Sequence, residues 1–232
     1  MSPEQSEGRA RVPGTDRASF VARLRGRAGE PAPENAVHRL RGPLDAVPLV
    51  RSSMLDETDL VGSFVRNATS VGARVHVATG AGDLPAIVAD VVEHHGIRRA
   101  VASKQRDAWA FVELLGANGV EVAPFDPASS AAADLGVTVA SAAIATTGTI
   151  VQRSDDVGGR TASLLPRVHL AVVPASCVVG TSADVLRRLP ETGLPSNLVL
   201  VTGPSKSGDI EQIIVIGVHG PVALELCVVL DI

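Results

Sequence analysis

From Leu60 to Pro124 the chain alternates between two hydrophobic periods, and that alternation restricts the fold more than any other feature. Leu60, Val61, Phe64, Val65, Ala68 and Val71 recur at helical spacing, and the short apolar run Arg74–Ala78 follows them. Leu84, Ile87, Val88, Val91, Val92 and His95 repeat at i, i+3, i+4 and i+7, with Pro85 placed where a first helical turn tolerates it. The strand run Arg99–Ala102 comes next, then a helix through Trp109, Phe111, Val112 and Leu115, then the run Val120–Pro124. Strands separated by helices of this length pair in parallel, and right-handed crossovers place the helices on both faces of the sheet.

The second half follows another rhythm. Val137–Ala140, Thr149–Gln152, Val168–Val173, Ser176–Val179, Leu198–Thr202, Ile213–Ile216 and Leu224–Leu230 are strand candidates. Several lie too close together for a helix between them. Ser182–Leu189 is the one convincing late helix, with Thr181 or Ser182 as its N-cap. The predicted class is α/β: a mixed, mainly parallel sheet flanked by helices, with an antiparallel, hairpin-rich C-terminal portion. Residues 49–232 are expected to form this domain. Residues 1–48 are expected to form a flexible N-terminal arm, with a short basic helix over Asp16–Arg27 and a Gly/Pro-rich linker after it. The first 41 residues hold eight Arg against five acids, so the arm either docks on an acidic neighbour or stays solvated.

Composition removes several partner classes. The net charge is −4 and aromatic residues make up 2% of the chain, which leaves neither a basic surface nor stacking platforms for nucleic acid. No apolar run approaches the ~20 residues of a membrane helix, and no hydrophobic leader opens the chain, so a cytoplasmic protein without membrane insertion is expected. Cys177 and Cys227 stand alone in apolar runs. Two isolated thiols cannot hold a cubane iron–sulfur cluster, which usually takes four thiolates. Buried, inert thiols are the expected state.

Two Gly/Pro loops near the C-terminus carry the strongest chemical signal. Gly203-Pro-Ser-Lys-Ser-Gly-Asp-Ile-Glu211 breaks the Leu198–Thr202 strand, and Gly217-Val-His-Gly-Pro221 precedes the last one. Ser205, Lys206, Asp209, Glu211 and His219 are costly between hydrophobic strands unless partnered, and loops on a rigid scaffold are where binding residues gather. Either the first loop holds an anion through Lys206 and its amides, or it is a capped structural turn. His219 is either a general base or donor to a substrate carbonyl, or a backbone-bonded loop residue. Thr146-Thr-Gly-Thr149 is either an amide-rich anion turn or an ordinary hairpin turn. Thr79-Gly-Ala-Gly-Asp-Leu-Pro85 departs from the dinucleotide fingerprint at Pro85 and is expected to be a plain βα turn in which Asp83 caps the helix. His169, inside an apolar strand, reads as a satisfied core histidine, and His94 and His95 suit the end of a helix.

With Leu164-Leu-Pro-Arg-Val-His-Leu-Ala-Val-Val173 and Gly193-Leu-Pro-Ser196, these loops resemble the lactate-utilisation protein C family of LUD-domain proteins. The resemblance implies the sugar-phosphate isomerase and CoA-transferase type of fold. It also implies a non-redox subunit of an L-lactate oxidation system that binds a small carboxylate or phosphate-bearing ligand in a loop cleft. Iron–sulfur clusters are then expected on partner subunits only, and no cofactor on this chain. A stand-alone transferase or ligase of the CoA-transferase or formyltetrahydrofolate cyclo-ligase type stays open, as do an inactive scaffold and a homo-oligomer. The family commonly has Glu where Thr146 stands, and more often Arg where Lys206 stands. The expected site joins Thr147, Gly148 and Thr149 with Gly203, Pro204, Ser205, Lys206, Asp209 and Glu211, and with Gly217 and Gly220. Lys206 would hold the carboxylate, and His219 would face the reacting oxygen as the catalytic residue.

Overall fold

The computed structural model describes residues 55–192, 195–208 and 214–230. The expected N-terminal arm, with Asp209 and Glu211, lies outside the described residues. The alternating half forms as its periods dictate. Helix α1 (Leu60–Ser70) leads to β1 (Arg74–Ala78), α2 (Leu84–His95) to β2 (Arg99–Ala102), and α3 (Trp109–Ala117) to β3 (Glu121–Ala123). Asp59 caps α1 by accepting from the Gly62 amide at 2.8 Å. Asp83 does not cap α2: its carboxylate turns back to the Thr79 amide (2.8 Å) and hydroxyl (2.7 Å), which stiffens the βα turn instead.

The remaining elements are α4 (Pro127–Ala132), β4 (Leu135–Val139), β5 (Ala142–Ile144), β6 (Thr149–Arg153), the single turns α5 (Ser154–Val157) and α6 (Thr161–Leu164), β7 (Val168–Pro174), β8 (Val178–Val179), α7 (Ser182–Thr192), β9 (Leu198–Val201), β10 (Lys206–Gly208), β11 (Ile214–Ile216) and β12 (Ala223–Val229). The main sheet has the order β1-β12-β7-β4-β2-β3, and all of its pairings are parallel. The antiparallel portion does not extend this sheet. It forms a second sheet, β8-β5-β6-β9, antiparallel except for the parallel β5–β8 pair, and a separate antiparallel β10–β11 hairpin.

Side-chain alternation along the buried strands separates two cores. Leu135, Val137, Leu170, Val172 and Cys227 face α2 and α3. Ala171, Val173, Leu224, Leu226 and Val228 face the other way, against Phe64 and Ala68 of α1 and against Ala143 and Ile150 of the second sheet. The second sheet therefore lies over one face of the first, and polar residues between them must find partners there. No described helix is long and apolar enough to cross a membrane.

Candidate functional site

A cavity of about 440 Å³ opens between the two sheets, near the amino ends of β7 and β12. Val199, Leu200 and Val201 of β9 and Leu224 of β12 form its apolar walls, and Ser163 and Leu164 of α6 border it. Its polar rim is made from the two C-terminal loops, Thr202–Lys206 on one side and His219–Pro221 on the other. Backbone hydrogen bonds stitch these loops together: Ser205 N donates to Pro221 O and Gly217 N to Ser205 O, both at 2.9 Å. The hairpin pairing of Lys206 with Ile216 continues that seam. The Gly/Pro loops are thus one rigid rim.

Gly203, Pro204, Ser205, Lys206, His219 and Gly220 all line this cavity. Their local roles differ from an anion cradle. The Ser205 amide is taken by Pro221, so it is not offered to a ligand. The Lys206 ammonium donates to Val71 O at 2.9 Å, where a cation suits the C-terminal end of α1. Gly203 has φ +74, and a Cβ there would stand 2.4 Å from Val71 O, so glycine is required by the approach of α1. Gly217 has φ +81 and sits against Val222, behind the rim. His219 is exposed and makes no hydrogen bond to a described residue.

The Thr147–Thr149 turn does not reach the cavity wall. Gly148, at φ +63, is pressed against α1, where a Cβ would lie 2.1 Å from Ala68 N, and its own amide donates to Ile144 O. The turn connects to the site through hydroxyls alone: Thr147 Oγ1 meets Thr149 Oγ1, and Thr149 Oγ1 meets Thr202 Oγ1, each at 2.7 Å. The Thr146 hydroxyl, at the position where the resemblance points to Glu, donates to Gly180 O.

The cavity floor holds a residue that sequence reasoning misjudged. His169 is fully buried, lines the cavity, and is only half satisfied. Its Nε2 lies 2.8 Å from Thr138 Oγ1, and Gln152 Nε2 donates to the same hydroxyl at 2.8 Å. His169 Nδ1 and Gln152 Oε1 are buried without a partner. Burial pushes the imidazole pKa down to about 4, so the ring is neutral at pH 7. The sequence signal was present: His169, Thr138 and Gln152 each interrupt an apolar strand run. Their proximity was not legible, because it depends on one sheet lying over the other.

The family assignment follows from comparison with known proteins. The family model described as the LUD domain matches residues 61–230. The chain belongs to the LUD domain family. The lactate utilization protein C of Exiguobacterium sp. is 42% identical over 105 residues, 43% of this chain and 46% of that protein. The protein of the same name from Anoxybacillus flavithermus is 30% identical over 158 residues, 68% of each chain. The alignments with the Exiguobacterium and Macrococcus caseolyticus proteins span about half the length of those relatives (46% and 53%). The crystal structure of a duf162 family protein from Deinococcus radiodurans shares the fold, with a TM-score of 0.55 and 24% identity over 75% of this chain and 99% of that one.

On the opposite face of the main sheet this LUD domain has a second polar cluster. Glu225 of β12 is buried and accepts from two histidines, His76 Nε2 on β1 and His95 Nε2 on α2, at 2.7 Å each. Burial alone would raise the Glu225 pKa, but the hydrogen bonds and charge of His76 and His95 outweigh it and hold it below the usual range. His95 therefore does more than suit a helix end: it ties α2 to the sheet. The thiols also fall on opposite faces, Cys227 in the core under α2 and α3 and Cys177 against the other core. Burial pushes them up to about 12 and about 11, so both are protonated at neutral pH.

Proposed function

We propose that this LUD domain serves L-lactate utilisation as a non-redox subunit, and that its intersheet cavity binds a small carboxylate. Electrons would be carried by iron–sulfur partner subunits. Its own two thiols lie on opposite faces of the main sheet, Cys227 buried in one core and Cys177 half-buried against the other, with raised pKa values, and so are poorly suited to share a cluster. The names of the relatives, lactate utilization protein C, support the lactate role. The observation that carries the binding reading is the cavity itself, with an apolar body, a rim bearing Lys206 and His219, and a buried, unpartnered His169 nitrogen on its floor. A few convergent polar groups in a mainly apolar cavity are the usual form of a small-molecule site.

Lys206 has three donor hydrogens and Val71 O takes one, so capping α1 leaves donors for a carboxylate oxygen. His219, exposed on the same rim, would meet the far end of a short acid. The test is a titration of the ¹⁵N-labelled chain with L-lactate, pyruvate and phosphate. The expected result is saturable shifts confined to the cavity lining, at Gly203, Ser205, Lys206, His219 and Gly220 on the rim and at His169 on the floor. Shifts spread evenly over the surface, or none at millimolar ligand, refute the binding site. Purification of the tagged chain from its host should also bring down iron-containing subunits, and a chain that elutes alone at low salt counts against the subunit role.

A further inference from the structure

The hydrogens of the Gln152–Thr138–His169 chain can be placed. Gln152 Nε2 donates to Thr138 Oγ1, which fills one lone pair of the hydroxyl. The Thr138 hydrogen then needs an acceptor, and among the described residues His169 Nε2, 2.8 Å away, is the one within reach. Thr138 therefore donates and Nε2 accepts. A neutral imidazole whose Nε2 accepts carries its hydrogen on Nδ1. That Nδ1–H is the atom left without a partner, on a ring that lines the cavity. In the strand register the ring lies between Gly136 on β4 and Leu224 on β12, and Leu224 is itself a cavity wall.

We infer that His169 is a specificity-determining residue of the cavity, its Nδ1–H reading an acceptor oxygen of a small carboxylic acid. The inference rests on the acid-binding reading above and adds to it the orientation of the ligand. An unpaired buried donor is unfavourable until an oxygen meets it, and a ligand group with only hydrogens to offer leaves it unpaired. Carboxylate and carbonyl oxygens satisfy it, whereas an ammonium or other donor-only group does not. Because the ring is closed to bulk water, ligand entry must part the lining by about the width of an oxygen. Gln152 and Thr138 act as positioning residues, since they touch no ligand and set the tautomer.

The test uses the full chain with ¹⁵N-labelled histidine, titrated with pyruvate, acetate and phosphate while long-range ¹H–¹⁵N spectra report the tautomer. In the free protein His169 should show a protonated Nδ1 and a bare Nε2, and pyruvate should move the Nδ1 signal. His169→Phe, which keeps the ring and removes both nitrogens, should weaken pyruvate binding about tenfold, as loss of one hydrogen bond predicts. Thr138→Val should let the ring populate both tautomers and blunt the response of Nδ1. An Nε2–H tautomer in the free protein overturns the inference. So does unchanged pyruvate affinity in His169→Phe while His219 still responds, and in that case the acid-binding reading survives. If no cavity residue responds to any of the three anions, both fall together.

Discussion

Glu225 permits a stability prediction worked directly from the geometry. Its carboxylate is 2% exposed and bridges β12 to β1 through His76 and to α2 through His95, with both contacts at 2.7 Å. Hydrogen bonds to a charged group contribute about 1.5–3 kcal/mol each. Arg74, 3.9 Å away with a side chain 40% exposed, adds little in a screened position. Glu225→Ala removes both bonds and leaves two imidazoles facing a void, so a loss of about 3–5 kcal/mol is expected. Glu225→Gln keeps the shape and loses only the charge assistance, and about 1.5–3 kcal/mol should go. The assay is urea unfolding followed by far-UV circular dichroism, fitted for midpoint and slope. The pH dependence has a definite sign. The folded-state pKa of Glu225 is held below its unfolded value, so its contribution is complete above about 4.3 and is lost as pH falls through the folded pKa. The wild type should therefore lose more stability than Glu225→Gln below about pH 4.3. Equal acid slopes, or a Gln variant within about 0.5 kcal/mol of wild type at pH 7, would refute the two-histidine account.

Other consequences are simpler to check. Gly203→Ala and Gly148→Ala place a Cβ 2.4 Å from Val71 O and 2.1 Å from Ala68 N at positive φ, so each should cost at least about 1–3 kcal/mol in thermal unfolding. Lys206→Met should cost no more than about 1 kcal/mol of stability, the worth of a cation at an exposed helix end, while markedly weakening anion binding. Buried Cys227 should resist alkylation at pH 8 and half-buried Cys177 should react only slowly, both reacting rapidly once the chain is unfolded, and labelling of Cys227 in the native chain within minutes would contradict its burial. If residues 49–232 are the folding unit, limited proteolysis should leave that fragment intact, and two stable fragments would argue for a second domain.

The first half of the fold was readable because each local signal agreed with its surroundings. Arg99–Ala102 is a strand at the limits its four residues suggested, and α2 ends at Gly96 with φ +59, as a left-handed cap requires. What escaped reading depends on distant pairing or very short elements. Ala142–Ile144 is a three-residue, alanine-rich strand with little β-propensity, yet it sits inside the second sheet. The last strand, expected among the hairpins, inserts between β1 and β7, because a run that is apolar apart from Glu225 and buried on both faces belongs in a parallel sheet. The two C-terminal loops were visible from their Gly, Pro and charged residues. That Lys206 also caps α1, and that Gly148 packs on the same helix, could not be seen without knowing where α1 lies.

Leu224 and Glu225 are adjacent in sequence and point to opposite faces of one sheet, and the contrast between those faces separates structural polarity from functional polarity. On the Glu225 side both carboxylate oxygens are matched by a histidine nitrogen, and three elements of the fold depend on the match. The carboxylate itself is fully matched from within the chain, and beside it, among the described residues, only Arg74 Nη1, 3.9 Å from Glu225, is buried without a hydrogen bond. On the Leu224 side the His169 network is one partner short at each end, at Nδ1 and at Gln152 Oε1. Buried polar atoms are rarely left unpaired, because the desolvation cost is carried in every folded molecule. A sheet that satisfies one buried cluster and leaves another open beside a cavity has room at the second for a group the chain does not supply. Pyruvate binding, read at His169 and at His219, decides whether a small acid is that group.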